Sequence, residues 1–128
     1  MMVITDVSAG EMTRQRLELM KFDQLEGGIL STMVAGNTLY YRNDVYGSKE
    51  PKHYVPGGIV VFRSGNVVVQ RKWQIERDML CEKNSESSRE VCKSVFRRGN
   101  RGVLCDEDSD ICPIQFEWKL GDTEGLGG

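Results

Sequence analysis

The feature that most constrains the fold is a series of short β-type segments that begins at residue 38. These segments are rich in β-branched and aromatic residues and cover residues 38–41, 59–62, 67–69, 73–75, 79–81, 91–96, 102–105 and 114–120. Turn signals separate them, among them Ser64-Gly65-Asn66 and residues 97–101. In the last segment apolar and polar side chains alternate, which is typical of a half-buried strand. The sequence therefore predicts seven or eight short antiparallel strands.

Strands in such a series must protect their edges, either by closing into a barrel or by packing as a sandwich. We therefore predict a mainly β (α+β) protein, a small antiparallel β-barrel or sandwich that is lipocalin-like in outline. Ahead of the strands, residues 11–22 favour a helix. Asp23 is a candidate N-cap for a second short helix, which Gly36-Asn37 would end. Residues 46–51 are predicted to form a loop.

The chain of 128 residues fits one domain. We predict a flexible leader at residues 1–10, a single domain at residues 11–120 and a flexible, glycine-rich tail at residues 121–128. Within the domain, residues 11–35 are expected to be helical and residues 37–120 to form antiparallel β structure.

Composition and charge exclude several classes of protein. Hydrophobic residues make up 39% of the chain and charged residues 28%, as in ordinary globular proteins, which argues against wholesale disorder. A net charge of −2 offers no general attraction to nucleic acid or to an anionic membrane. The longest apolar run, residues 59–62, is far shorter than the ~20 residues of a membrane helix. We predict no nucleic-acid partner and no membrane span, and no particular oligomeric state is indicated.

The cysteines bear on the cellular compartment. All four lie in the C-terminal third of the chain, at positions 81, 92, 105 and 112. Structural zinc sites usually use closely spaced cysteine pairs, which this chain lacks, so disulfides are favoured over zinc and over free buried thiols. Four cysteines allow three pairings, one of which is sequential. Disulfides need an oxidising compartment, which favours a periplasmic or secreted protein, whereas free thiols would favour the cytoplasm. The N-terminal residues show no signal peptide, so the export prediction assumes that one has been removed.

Three motifs have a structural interpretation that we prefer to a functional one. The single histidine, His53, is predicted to be a solvated surface residue. The acidic residues 106–110 resemble a calcium loop, but Ile111 stands where such a loop needs glycine, so a solvated turn is predicted. The basic residues 96–102 lack the interleaved aromatics of an RNA-binding surface, and a charged turn is predicted there. The sequence indicates no cofactor, no metal and no catalytic residue.

Three stretches together resemble a known family. They are Val34-Ala35-Gly36-Asn37-Thr38-Leu39, then Tyr54-Val55-Pro56-Gly57-Gly58, and then residues 73–81 followed by Cys92 and Val95. Over roughly residues 30–100 this order resembles the uncharacterised family catalogued as domain of unknown function 995, whose members are small, generally exported proteins, mostly from alphaproteobacteria. The resemblance implies export and a Cys81–Cys92 bridge, and it transfers no catalytic residue. The chain departs from the family pattern at Lys72, where a glycine is expected, and in its additional Cys105 and Cys112.

The leading functional hypothesis is a binding module for an apolar small molecule or a component of the cell envelope. A closed barrel of about eight strands can hold one small ligand among its inward side chains. The candidate lining residues are the aromatic side chains expected to point inward: Tyr40, Phe62, Trp73, Phe116 and Trp118. The alternative is a protein-interaction or inhibitor module of the envelope that works through surface loops such as residues 46–53. An enzyme is the less favoured interpretation.

Overall fold

The computed structural model describes residues 12–43, 47–83 and 89–126, and it contains two short helices and nine strands. The first elements are helix α1 (Arg14–Leu19), strand β1 (Asp23–Gln24) and helix α2 (Gly27–Val34). The remaining strands are β2 (Thr38–Asn43), β3 (Ser48–Val55), β4 (Ile59–Ser64), β5 (Val67–Glu76), β6 (Met79–Lys83), β7 (Glu90–Arg98), β8 (Arg101–Asp106) and β9 (Ile114–Lys119). The predicted leader at residues 1–10 lies outside the described residues.

Strands β2 to β9 close into an eight-stranded antiparallel barrel. Each strand pairs with the next one along the chain, and β9 returns to pair with β2, where Leu39 lies opposite Trp118. Closure removes the open edges that a series of hairpins would otherwise expose. Of the two predicted architectures, the barrel is therefore confirmed. The short β1 pairs with β7 at Arg97 and Phe96, beyond the last residues of β7 that pair with β6.

The barrel turns are tight where the sequence indicated them. Gly65 and Gly99 have φ angles of 64° and 63° in the β4–β5 and β7–β8 connections, a conformation that glycine adopts without steric cost. The β5–β6 turn also has positive φ angles, but it is made by the non-glycine residues Arg77 and Asp78, with φ of 52° and 59°. Asp78 also accepts a hydrogen bond from the Gly27 N–H at 2.8 Å, which ties this turn to the start of α2.

Helix α2 closes one end of the barrel. Its Leu30, Met33 and Val34 are buried in the main core, together with the inward side chains of the strands. The Trp118 indole N–H donates to the Met33 carbonyl at 2.7 Å, so a strand side chain also satisfies a backbone acceptor of the helix. The predicted N-cap was wrong, because Asp23 lies in β1 and α2 begins only at Gly27.

Residues 48–51, which the sequence predicted to be loop, belong to β3. Pro51 lies opposite Tyr40 of β2, while pairing with β4 begins one residue later at Lys52. The strand tolerates proline there because no β4 partner needs the missing N–H. Residues 48–53 therefore form part of the barrel wall and are not the interaction loop of the alternative hypothesis. Tyr46 lies outside the described residues.

A second, smaller core lies outside the barrel, where α1 packs against β7 and β8. It contains Leu17, Phe96, Val103, Cys105 and Cys112, with Met12 and Phe22 packed against it. Thr13 caps α1 by accepting the Arg16 N–H at 3.3 Å. The helix is shorter than the predicted residues 11–22, and Lys21 follows it with a φ of 67°.

Both sequential disulfides are present, Cys81–Cys92 and Cys105–Cys112. Cys81 and Cys92 lie directly opposite each other on β6 and β7, so the bridge links neighbouring strands. Cys105 and Cys112 close the acidic turn between β8 and β9. Two such bridges favour an oxidising, extracellular or periplasmic location over the cytoplasm. Among the described residues, no helix has the length and apolar composition needed to cross a membrane.

His53 is buried, and the prediction of a solvated surface histidine was wrong. Only 5% of its surface is exposed, its Nδ1 lies 3.2 Å from the Thr38 Oγ1, and Asp122 lies 3.9 Å from the same nitrogen. The cover comes from residues 121–124, at the start of the segment predicted to be a flexible tail. The Gly121 carbonyl accepts a hydrogen bond from the Thr38 hydroxyl at 2.7 Å, and the Gly121 N–H donates to Asn37 at 2.9 Å.

Candidate ligand-binding site

A cavity of about 560 Å³ opens at the end of the barrel opposite α2. Small-molecule sites usually fall between about 300 and 1,000 Å³. The wall is formed by side chains from seven of the eight barrel strands and by one residue that precedes β7: Tyr41, Arg42, Lys52, Arg71, Leu80, Glu82, Arg89, Val91, Lys93, Leu104 and Ile114. We call this space the mouth cavity.

The mouth cavity follows from the two-residue period of the strands. Side chains two positions apart share a face, so the inward residue next to each core residue lies nearer the mouth. Five strands show such a pair, with the core residue first and its neighbour at the mouth second: Leu39/Tyr41, Tyr54/Lys52, Trp73/Arg71, Leu80/Glu82 and Val95/Lys93. The interior thus changes from apolar near α2 to mainly charged at the mouth.

A hydrogen-bond network crosses the barrel beneath the mouth cavity. Lys52 of β3 contacts Glu82 of β6 at 3.2 Å, although these strands are not neighbours in the sheet. The other carboxylate oxygen of Glu82 accepts the Tyr54 hydroxyl at 2.7 Å, and the Tyr54 oxygen lies 2.6 Å from the Tyr41 hydroxyl. Because Tyr54 donates to the carboxylate, Tyr41 donates to Tyr54. The oxygen of Tyr41 then keeps an acceptor position at the cavity wall.

Of the inward cations at the mouth, Lys52 and Lys93 are paired and Arg71 is not. Lys93 bonds Asp106 on the neighbouring strand β8 at 2.6 Å. Arg71 makes no ion pair within the described part of the chain, and its Nε is buried without a hydrogen-bond acceptor. The Arg71 guanidinium lies 4.9 Å from the centre of the Phe62 ring, and the Lys52 ammonium lies 4.8 Å from the same ring.

Burial raises the pKa of Tyr41 and of Tyr54 well above the ordinary value of 10. Desolvation is the largest cause for both phenols. The negative charge of Glu82 raises the pKa of Tyr41 further. The negative charge of an ionised Tyr41 raises the pKa of Tyr54 further. Both tyrosines are therefore neutral in the folded protein at pH values where an exposed phenol ionises.

We expect the protein to lose stability as the pH rises above about 10, the pKa of an unfolded tyrosine. Both pKa values are raised on folding, so their contribution is fully present below that pH and is lost as the pH climbs toward the folded-state values. Urea unfolding between pH 8 and 11.5 measures the decline, and phenolate absorbance shows which state ionises. The decline should be smaller in Tyr41→Phe. Tyr40→Phe should change it less, because the pKa of Tyr40 is only modestly raised. An unaltered pH profile in Tyr41→Phe would contradict the assignment.

The five aromatic residues predicted to line a ligand site do not lie together at the mouth. Trp73, Phe116 and Trp118 are in or against the main core, and Phe62 lies next to Lys52 and Arg71 of the cavity wall. Tyr40 is on the outer face, where its hydroxyl bonds Thr123 and Glu124, so its predicted inward orientation was wrong. A ligand role for the other four stays a prediction.

Sequence reasoning missed the charged residues of the cavity wall. No sequence pattern singled out Lys52, Arg71, Glu82 and Lys93, because charged side chains usually face water. The signal that could have found them is their spacing, since each lies two positions from an apolar residue of the main core.

One group of potential metal ligands occurs among the described residues, outside the mouth cavity. Ligand atoms of Glu76, Cys81, Glu90 and Cys92 lie within 4.8 Å of one another. Both sulfurs belong to the Cys81–Cys92 disulfide, so they supply no thiolate, and only two carboxylates remain.

Comparisons with protein-family models, with curated proteins and with solved structures gave no match for this chain. The resemblance to domain of unknown function 995 stays a prediction.

Proposed function

We propose that this protein is a periplasmic or secreted binding module whose ligand is a small molecule held in the mouth cavity. The observation that carries the proposal is a closed, disulfide-linked barrel with a cavity of about 560 Å³ at one end and a helix closing the other. Leu80, Leu104 and Ile114 offer apolar surface to a ligand, and the charged side chains opposite them offer orientation. The predicted resemblance to an exported family agrees with this location.

We propose a binding role and not an enzymatic one, because the carboxylates near the cavity are already engaged. Glu82 is held by Lys52 and Tyr54, and Asp106 is held by Lys93. A general acid or base needs a carboxyl group that can exchange its proton with a substrate, and neither group is arranged for that. The alternative, an interaction module that works through surface loops, is less favoured because residues 48–53 of its candidate loop belong to strand β3.

Binding can be tested with the neutral fluorescent probe N-phenyl-1-naphthylamine, whose emission rises in an apolar site. We expect saturable binding to the wild-type protein. Val91→Trp should weaken it about tenfold or more, because the half-exposed Val91 lines the mouth and a larger side chain would fill it. Val68→Trp is the matched control, since the exposed Val68 on β5 is not part of the cavity wall. Absence of saturable binding, or equal loss in both variants, would contradict the proposal.

A further inference from the structure

We propose that the ligand is an amphipathic anion whose acidic group binds Arg71 and whose apolar part lies along β6 to β9. This inference depends on the proposed binding function and specifies the chemistry of its ligand. It rests on three properties of the mouth cavity: an excess of positive charge, one arginine without an acceptor, and an apolar wall beside it.

The cavity wall carries more positive than negative charge. Of its eleven residues, five are cations and one, Glu82, is an anion, and Asp106 on β8 pairs with one of the cations, Lys93. The whole chain carries a net charge of −2, so this excess is a local property of the cavity. A concave, partly desolvated surface with one sign of charge concentrates ligands of the opposite sign.

Arg71 identifies the point at which the anion binds. Lys52 and Lys93 already contact carboxylates of the protein, at 3.2 and 2.6 Å, whereas the buried Nε of Arg71 has no acceptor among the described residues. The Nε itself has almost no accessible surface, so a ligand reaches Arg71 through the part of its side chain that lines the cavity and there supplies an acceptor that the described residues do not. The guanidinium presents a planar set of donors that matches the two oxygens of a carboxylate. A cation–π contact with the Phe62 ring, 4.9 Å away, supports the position of the guanidinium.

The apolar part of the cavity wall indicates that the rest of the ligand is apolar. Leu80, Val91, Leu104 and Ile114 line the cavity from the adjacent strands β6, β7, β8 and β9. Inorganic anions have no apolar surface to bury there, and a neutral hydrocarbon would leave Arg71 without an acceptor. A medium-chain carboxylate satisfies both parts of the site.

The experiment is displacement of N-phenyl-1-naphthylamine at pH 7 by octanoate and by octan-1-ol, which share an apolar chain and differ in charge. For the wild-type protein we expect octanoate to bind about tenfold or more tightly than octan-1-ol. Arg71→Gln should remove about tenfold of the octanoate affinity and leave octan-1-ol within about twofold. Arg63→Gln removes the same charge from the exposed end of β4 and should change neither affinity.

Each outcome separates this inference from the proposed function. If the probe binds and the two competitors displace it equally, the anion inference is wrong and the binding function stands. If Arg71→Gln weakens both competitors equally, Arg71 does not select the anion. If the probe does not bind the wild-type protein, both proposals fall. Should Arg71→Gln not fold, the wild-type preference and Arg71→Lys decide: the lysine variant should keep only part of the preference, because it retains charge without the planar donors.

Discussion

Replacing Gly102 by alanine should lower the free energy of unfolding by about 3 kcal/mol. Gly102 of β8 lies opposite Phe116 of β9, and the buried Phe116 ring covers its Cα. A Cβ added at Gly102 would lie 1.9 Å from the Phe116 Cζ and 2.4 Å from the two Cε atoms. The ring cannot move aside without disturbing the core, where it also packs against Tyr41 with ring centres 5.8 Å apart. Urea unfolding at neutral pH measures the loss.

Two further variants test the steric origin of that effect. Gly28→Ala in α2 is the control, because an added Cβ meets no atom within 4 Å, and we expect unchanged stability or a gain of up to about 1 kcal/mol. Phe116→Leu should relieve the clash, so it should cost less in the Gly102→Ala background than in the wild-type protein. Wild-type stability in Gly102→Ala, or additive effects in the double variant, would show that the ring does not press on Gly102.

Removing the Cys105–Cys112 disulfide as Cys105→Ser/Cys112→Ser should lower the free energy of unfolding by about 3 kcal/mol. Loss of the loop constraint in the unfolded chain accounts for most of this effect on the chain-entropy model. Burial of two serine hydroxyls adds to it, because Cys105 and Cys112 are 0% and 1% exposed in the core that holds α1.

The same variant should also loosen α1. The bridge positions the turn whose Asp110 carbonyl accepts the Arg14 N–H at 3.0 Å, and the Cys112 N–H donates to the Met12 carbonyl at 2.9 Å. Hydrogen exchange should therefore show faster exchange of the Leu17 amide, which bonds Thr13 within α1.

The control for α1 is Cys81→Ser/Cys92→Ser, which removes the bridge between β6 and β7 that is not part of the core holding α1. It should lower overall stability by a similar amount and leave exchange of the Leu17 amide unchanged under conditions where the protein stays folded. Equal effects of the two variants on α1 would argue against a specific link between Cys105–Cys112 and the helix.

Patterns of neighbouring residues predicted much of the fold correctly. The turns at Gly65 and Gly99, the alternation in β9 and the run of short strands all depend on neighbours in the chain, and the structure contains each of them. The cysteine spacing favoured disulfides over a zinc site for the same reason, and both bridges are present. Pro51 misled the prediction, because its cost depends on whether another strand needs its N–H.

The sequence by itself determined a cysteine-bridged antiparallel β protein, because strand, turn and cysteine patterns act over a few residues. The tertiary structure decided which faces lie inside. An alternating strand does not reveal which of two mixed faces is buried, and Lys52 can point inward only because Glu82, thirty positions away, reaches it across the barrel. The burial of His53 depends in the same way on Asp122. Desolvating a charged or polar group requires a partner, and closure of the barrel supplies partners that no local pattern encodes.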